Sequence, residues 1–301
     1  MISLALIFLV SLVFPGIINR TKSLSSGRNG PDIIQSMRDI IRLFKKGAVY
    51  SHTTSLIFQV APSIYFSSVV MAILLIPFGQ YKGLISFDGD FIFFAYVLGV
   101  GKFFMIISAL DTGSSFEGMG ASREALYSMF AEPAFFILMG SFALLTGHYS
   151  FHDIFSLLHF GSSISYVIGV LATFVLLMIT MIENSRMPFD DPKTHLELTM
   201  VHEVMVLDNS GFDLGLIMYT SNLKFSMYGA LIANLFMGVA PLYISIPIFF
   251  VAQGLFTIII GLLESFTARF RMNHNPQYIL ALSSVSLLIF FGVLLYLGRI
   301  I

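Results

Sequence analysis

The stretch Glu183-Asn-Ser-Arg-Met-Pro-Phe-Asp190-Asp191 follows an apolar run over residues 164–183 and opens a long charged loop in an otherwise mostly apolar chain. Of the 301 residues, 56% are hydrophobic and only 11% are charged, far below the roughly 25% of a soluble domain. Apolar runs of about 20 residues, each able to cross a hydrocarbon core of roughly 30 Å, recur along the chain. The pattern predicts an all-α polytopic membrane protein with its charged groups gathered at one membrane face.

Eight such runs predict eight transmembrane helices in a single domain over residues 1–301, because no repeat, low-complexity tract or flexible linker divides the chain. A transmembrane β-barrel is excluded, since its strands would appear as alternating segments of about 10 residues. A proline-containing turn around Pro241 and Pro247 separates the sixth run from the seventh. The first run lacks a preceding basic segment and is expected to be a retained span. The approximate limits are 2–19, 54–78, 91–110, 124–146, 164–183, 225–244, 246–264 and 278–299.

Most of the 16 lysines and arginines fall in the loops that follow odd-numbered spans. By the positive-inside rule these loops face the cytoplasm, so both termini are expected on the outer face of a cell (inner) membrane. The opposite face holds Lys82 and Arg299, and Lys102 lies inside a span. The basic residues assigned to the cytoplasmic side are Arg20, Lys22, Arg28, Arg38, Arg42, Lys45, Lys46, Arg123, Arg186, Lys193, Lys224, Arg269 and Arg271.

Two cytoplasmic segments carry most of these charges. Residues 31–46 repeat apolar side chains at helical spacing, with charged residues mostly on the other side. This pattern predicts an interfacial amphipathic helix that begins with Pro31 in its first turn and ends at Gly47. The helix is either a membrane-surface anchor or an element that docks a partner or lines a cavity. The second segment is the charged loop over residues 184–224.

Several motifs occur in order along the whole chain. They are Gly27-Arg-Asn-Gly-Pro-Asp-Ile-Ile-Gln, Ser108-Ala-Leu-Asp-Thr-Gly-Ser-Ser-Phe, Gly120-Ala-Ser-Arg-Glu-Ala, Glu132-Pro133, Met187-Pro-Phe-Asp-Asp-Pro and Leu263-Glu-Ser-Phe-Thr-Ala-Arg-Phe-Arg. Together they resemble the membrane subunit related to the H subunit of respiratory complex I. The resemblance is closer to its branch in membrane-bound group 4 nickel–iron hydrogenase and formate hydrogenlyase complexes.

The resemblance implies a non-catalytic subunit that docks an iron–sulfur peripheral arm and relays redox-driven changes to proton- or sodium-pumping subunits. Its implied partners are an iron–sulfur small subunit, a hydrogenase-like large subunit and antiporter-like membrane subunits. Iron–sulfur and nickel–iron centres are expected only in those partners. The chain itself has no cysteine and so holds no cluster or thiolate zinc site alone.

Two other functions stay open. The chain could be the quinone-site H subunit of a complex I-type NADH dehydrogenase, and the motifs do not show whether quinone binds. It could also be an autonomous secondary ion transporter, because such proteins use lysine and glutamate inside the membrane. That class commonly has an inverted repeat with broken helices, and no such repeat is visible in the sequence.

Ionisable residues inside the membrane are costly and are therefore functional candidates. Lys102 and Glu132 lie about 12 and 15 Å from the cytoplasmic ends of their spans, close enough to pair if the two helices touch. Such a pair is either part of a charged relay or a static ion pair that fixes helix register. The other relay candidates are carboxylates at the cytoplasmic face, which are either proton-exchange sites or members of interfacial salt bridges: Asp111, Glu117, Glu183 and Glu264.

The motif Met187-Pro-Phe-Asp-Asp-Pro restricts the backbone before its prolines and predicts a rigid turn that presents Asp190 and Asp191. By the resemblance, this loop lies under the peripheral arm. His195 and His202 lie near carboxylates but match no known ligand spacing, so no metal is predicted. The predicted docking residues are Arg38, Arg42, Arg123, Asp190, Asp191, Glu197 and Glu203.

Overall fold

A computed structural model of the chain describes residues 2–158, 163–191 and 200–298, and helices build these ranges. The all-α membrane architecture predicted from the apolar runs is confirmed. The helices are α1 (Ile2–Ser11), α2 (Phe14–Ser25), α3 (Gln35–Phe44), α4 (Leu56–Leu75), α5 (Asp90–Asp111), α6 (Ser115–Thr146), α7 (Phe151–Leu157), α8 (Ser163–Glu183), α9 (His202–Met205), α10 (Gly211–Met237), α11 (Leu242–Phe266) and α12 (Asn275–Tyr296).

Six of these helices, α4, α5, α6, α8, α11 and α12, are long and apolar enough to cross a membrane. The helices α1 and α2, taken together, are also long and apolar enough to form one span, with a bend of 42° between them. Pro15 lies at the start of α2 and lacks the N–H that would continue the α1 hydrogen-bond ladder, so the predicted span 2–19 is two short helices. The 27-residue helix α10 is less apolar but, at about 40 Å, long enough to span. The eight predicted spans thus correspond to the six helices, the bent pair and α10.

The beginning of α10 corrects the boundary of the predicted charged loop. The helix starts at Gly211, so the sixth predicted span begins too late and the loop is shorter than 184–224. Gly211 has a φ of 52° and lies against the backbone of Gly47, where a side chain would not fit. Lys224, assigned from the sequence to the cytoplasmic loop, lies inside this helix and is buried.

The turn between α10 and α11 runs from Gly238 to Pro241. The sixth predicted span, drawn to residue 244, therefore ends too late. Pro247 does not belong to the turn, because it lies inside α11. The change of chain direction predicted at two prolines is confined to the first of them.

The predicted amphipathic helix corresponds to α3, which is shorter than residues 31–46. Pro31 lies before the helix rather than in its first turn. Ile40 is buried, and Leu43 and Phe44 pack against Gly215 of α10. The charged side of α3 faces solvent, so this helix lies on the surface across the beginning of α10.

The helices around the middle of the chain enclose its buried charges. α5 packs along α4 and α6, while α8 contacts α6, α10 and α12. On α5, Gly101 lies directly against the side chain of Ser68 on α4, so the missing side chain permits a close approach of the two helices. This packing brings α5, α6, α8 and α10 around one interior region.

Candidate functional site

Four charged side chains from four helices meet inside the bundle, and we call Lys102, Glu124, Glu183 and Lys224 the central cluster. The Nζ of Lys102 on α5 lies 3.1 Å from Oε1 of Glu124 on α6 and 3.0 Å from Oε2 of Glu183 on α8. The Nζ of Lys224 on α10 lies 2.7 Å from the same Oε2 of Glu183. All four side chains are largely buried. The two ammonium and two carboxylate groups balance, which offsets the cost of burying them.

The early end of α8 explains how this cluster connects to the surface of the bundle. α8 stops at Glu183, whereas Lys102 and Glu124 each lie nine residues, about 13 Å, inside α5 and α6 (positions 102 to 111 and 115 to 124). The chain after Glu183 therefore enters the bundle, and Ser185 is buried there and donates a hydrogen bond to Glu124. The Nζ of Lys224 also donates to the backbone carbonyl oxygen of Glu183 at 2.9 Å, which satisfies an acceptor at the end of α8.

Two small cavities flank the central cluster, and Lys102 and Glu183 line both of them. The Glu132 cavity, of about 30 Å³, is large enough for one or two waters and is also lined by Glu132 and Tyr228. The His202 cavity, of about 10 Å³, is close to the size of one water. Lys102 and Glu183 thus border both a cavity that reaches Glu132 and one that reaches His202.

A second buried ion group ties the loop after α8 to α2 and α11. The Nη1 of Arg186 lies 3.2 Å from Oε1 of Glu264, and the Nζ of Lys22 lies 3.5 Å from its Oε2. The guanidinium of Arg186 also lies 5.5 Å from the ring centre of Phe225, within the range of a cation–π contact. Glu264 is therefore held by two cations at the end of α11.

Asp190 forms a third buried junction in the same loop. Its Oδ1 lies 2.7 Å from Nη2 of Arg269, and its Oδ2 accepts the backbone N–H groups of Val201 and His202, each at 3.1 Å. Burial raises the pKa of Asp190 above its ordinary value, while Arg269 and the N–H groups act in the opposite direction. The expectation that the turn presents Asp190 at the surface is wrong, because only 1% of this residue is exposed.

The family of the chain follows from a match that extends over nearly its whole length. The family model described as NADH dehydrogenase matches residues 1–294. The chain belongs to the NADH dehydrogenase family. It is 30% identical over 232 residues to hydrogenase-4 component C of Escherichia coli K12, covering 77% of this chain and 72% of that protein. It is 25% identical over 289 residues to formate hydrogenlyase subunit 4 of the same organism, covering 92% of each chain.

A relative from the complex I side of the NADH dehydrogenase family is more distant. The H subunit of the NADH-quinone oxidoreductase of Methylococcus capsulatus is 22% identical over 261 residues, covering 85% of this chain and 81% of that protein. The fold matches a chain of the membrane-bound sulfane sulfur reductase, an archaeal respiratory membrane complex, with a TM-score of 0.80, 18% identity and 96% coverage of both chains. The resemblance inferred from the sequence motifs is confirmed, and the chain is a multi-pass membrane protein related to subunits of these oxidoreductase complexes.

In this NADH dehydrogenase family protein, the predicted pair between Lys102 and Glu132 is replaced by contacts of Lys102 with Glu124 and Glu183. The predicted pairing is wrong because the sequence pattern starts the fourth span at residue 124, whereas α6 begins at Ser115. With that start, Glu124 lies about 13 Å into α6 and matches the depth of Lys102, while Glu132 lies about 25 Å into it. Glu132 instead lines the cavity on the far side of the cluster.

Sequence reasoning missed Glu124 and Lys224 as members of the site. The motif that contains Glu124 indicates a position at the membrane face, although Gly113 with its φ of 71° marks the turn from which α6 starts nearby. The charge pattern assigns Lys224 to a loop, although the apolar residues Leu223 and Phe225 flank it. These two apolar neighbours are the local signal for a buried position, although Thr220, Ser221 and Asn222 precede them.

Two other relay candidates, Asp111 and Glu117, accept hydrogen bonds from backbone N–H groups of other segments. The Oδ2 of Asp111 accepts the backbone N–H of Ser55 at 2.6 Å, which joins the end of α5 to the start of α4. Glu117 is fully buried, and its Oε1 accepts the backbone N–H of Asp208 at 3.0 Å. Its other oxygen has no hydrogen-bond partner in the part of the chain that the structure describes.

The predicted docking residues have different environments. Arg38 and Arg42 are exposed on α3, while Arg123 donates from Nη1 to the carbonyl oxygen of Met200 at 2.9 Å. Asp191 and Glu203 are partly exposed. Glu197 lies outside the described residues, as do Lys193 and His195. Within residues 2–158, 163–191 and 200–298, no group of three His, Asp or Glu side chains could hold a metal ion.

Proposed function

We propose that this chain couples redox events in a cytoplasmic peripheral arm to ion movement inside the membrane, as a subunit of an ion-translocating oxidoreductase. Relatives named as components of hydrogenase-4, formate hydrogenlyase and NADH-quinone oxidoreductase support membership of such a complex. The observation that carries the coupling role is the position of Glu183. Its one carboxylate contacts both Lys102 and Lys224, and Glu183 lines both cavities.

Protonation of Glu183 would change the central cluster in a defined way. The loss of its negative charge weakens both contacts with lysine, each worth about 4 kcal/mol at an effective dielectric constant of about 20. Lys102 then keeps Glu124 as its partner, and Lys224 keeps the carbonyl oxygen of Glu183. Separation of Lys102 from Glu183 joins the two cavities and lets water connect the cluster with Glu132.

The loop after α8 gives the peripheral arm a means to act on this cluster. The last residue of α8 and two residues of the loop are anchored to different helices or loops: Glu183 to the cluster, Arg186 to Glu264, and Asp190 to Arg269. A displacement of this loop on the cytoplasmic side therefore changes the position of Glu183. The same ties also fit a purely structural role, which the Glu183 variant described below distinguishes.

The partners in this proposal are an iron–sulfur small subunit and a hydrogenase-like large subunit on the cytoplasmic side, and antiporter-like subunits within the membrane. The metal centres would belong to those partners, because this chain has no cysteine. The excess of basic residues in loops after odd-numbered spans supports a cytoplasmic position of the loops and outward termini in the inner membrane.

A quinone does not fit the cavities at the central cluster. Their volumes of about 30 and 10 Å³ are far below the roughly 300 Å³ at which small-molecule pockets begin. A quinone-site function, the alternative proposal within the same family, would therefore need walls supplied by a partner subunit. No step of the proposed coupling uses a quinone.

A mild-detergent extraction from native membranes, followed by mass spectrometry of the proteins that copurify, tests membership of the complex. Recovery of a nickel–iron large subunit with iron–sulfur and antiporter-like proteins supports the hydrogenase-type proposal. A NADH-oxidising arm would favour the complex I-type alternative. Recovery of the chain alone would overturn the subunit proposal in favour of an autonomous transporter.

The coupling role is tested with Glu183→Gln in the assembled complex. We expect ion uptake per electron into inverted vesicles to fall about tenfold or more, because the amide does not carry the proton that breaks the lysine contacts. Asp88→Asn removes one exposed carboxylate from the loop between α4 and α5 and serves as the matched control. Unchanged uptake per electron with Glu183→Gln at normal complex abundance contradicts the proposal.

A further inference from the structure

His202 occupies a fixed position between the cytoplasmic loop and the central cluster. Its backbone N–H donates to Asp190, which is itself paired with Arg269. The short helix α9 that His202 begins is packed on α6 at Gly120, where a side chain would meet Val204. These contacts hold the backbone of His202 beside the central cluster.

His202 lines the cavity on the cytoplasmic side of the central cluster and is partly exposed. Among the titratable residues that line this cavity, His202 and Glu183 are partly exposed, whereas the others are buried, and Glu183 is already held in two ion pairs. The other titratable side chains that line the same cavity, one each from α4, α5, α6, α8 and α10, are Tyr65, Lys102, Glu124, Glu183 and Lys224.

The groups that line this cavity differ in how readily they can take up a proton. The lysines and glutamates of the cavity are engaged in ion pairs with one another, so they do not take up a proton without breaking a contact. Histidine exchanges protons readily near neutral pH and uses its two ring nitrogens for the two directions of transfer. A proton bound at one nitrogen lets the proton on the other nitrogen leave to a water in the cavity.

We propose that His202 is the proton-uptake residue of the central cluster, an inference that rests on the coupling function proposed above. The imidazole binds a proton from the cytoplasmic side and releases its second ring proton, through one water, to the carboxylate of Glu183. The imidazole ends the step neutral, and Glu183 ends it protonated. That proton is the one that breaks the contacts of Glu183 with Lys102 and Lys224.

The test replaces His202 in the complete complex and supplies imidazole from outside. In inverted vesicles, with turnover driven by reduced methyl viologen, we expect His202→Ala to slow coupled ion uptake about tenfold or more. Millimolar imidazole should restore much of the rate, because it fills the space left by the side chain and carries protons. His202→Gln should be slow as well and should not respond to imidazole, since it keeps the side-chain volume without exchanging protons.

The control and the contradicting results are specific. His52→Ala removes an exposed imidazole that does not line the cavity. It should leave the rate of coupled ion uptake unchanged, both without and with added imidazole. A wild-type rate in His202→Ala, or a slow rate that imidazole does not restore, overturns the proposal. If Glu183→Gln is defective while His202→Ala is normal, the coupling function stands and only this inference fails. Should His202→Ala not assemble, a wild-type rate in His202→Gln overturns the proposal in the same way.

Discussion

The Nζ of Lys224 lies 2.7 Å from Oε2 of Glu183, a residue 41 positions earlier in the chain. The contact joins the interior of α10 to the last residue of α8. It brings a second ammonium to a carboxylate that Lys102 already holds at 3.0 Å. Two cations thus converge on one carboxylate, and Glu124 supplies the second negative charge that balances them.

Lys224→Met should destabilise the chain by about 3–5 kcal/mol, because it removes one member of a buried ion cluster and leaves a net negative charge there. A lower unfolding temperature of the purified complex would measure the effect. Combining it with Glu183→Gln should recover part of the loss, since the charges then balance again. Lys46→Met, at an exposed lysine, is the control. An unaltered unfolding temperature in the single variant contradicts the electrostatic account of this cluster.

Glu132→Gln should leave assembly intact but lower coupled ion transport about tenfold or more, because Glu132 lines the cavity that the proposed coupling connects to the central cluster. Ion uptake per electron in inverted vesicles, at matched complex abundance, measures the effect. Asp88→Asn again serves as the surface control. Full coupled transport in Glu132→Gln would remove Glu132 from the relay while leaving the role of Glu183 open to its own test.

The sequence predicts the membrane class, the family and the importance of the loop after Glu183, because apolar runs and local motifs report these features directly. It does not predict the partners of Lys102, since they depend on where α6 begins and how deep each side chain then lies. The start of α6 follows from the turn at Gly113 and from the packing of α9 against Gly120. Such contacts join segments far apart in the chain and leave no local periodicity.

Asp190→Asn should loosen the loop between α8 and α9 and cost about 3–5 kcal/mol, because Arg269 would lose the buried carboxylate it contacts. Faster hydrogen exchange over residues 184–191 and 200–206 is the expected observation. Asp208→Asn, at an exposed side chain close to the same loop, should leave exchange in these segments unchanged. Wild-type exchange in Asp190→Asn would argue against Asp190 as the anchor of the loop.

Reversing the charge of Arg38 and Arg42 tests the docking surface, because both side chains are exposed on α3. If the peripheral arm binds there, the double glutamate variant should lose most of the copurifying hydrophilic subunits after mild extraction, while the chain itself stays at its normal level. Lys82→Glu places the same change on the opposite membrane face and should retain them. Full retention in the double variant would restrict docking to other residues, including Asp191 and Glu203.

Gly120→Ala should displace α9, because the added methyl group would meet the side chain of Val204 and lie 2.8 Å from the carbonyl oxygen of Val201. Gly140 lies in the same helix with no atom within 4 Å of an added methyl group. Gly140→Ala should therefore stabilise α6 by roughly 0.5–1 kcal/mol. We expect faster hydrogen exchange over residues 201–206 and slower coupled transport in Gly120→Ala alone. If the two alanine variants exchange and transport alike, the position of α9 does not depend on the missing side chain at residue 120.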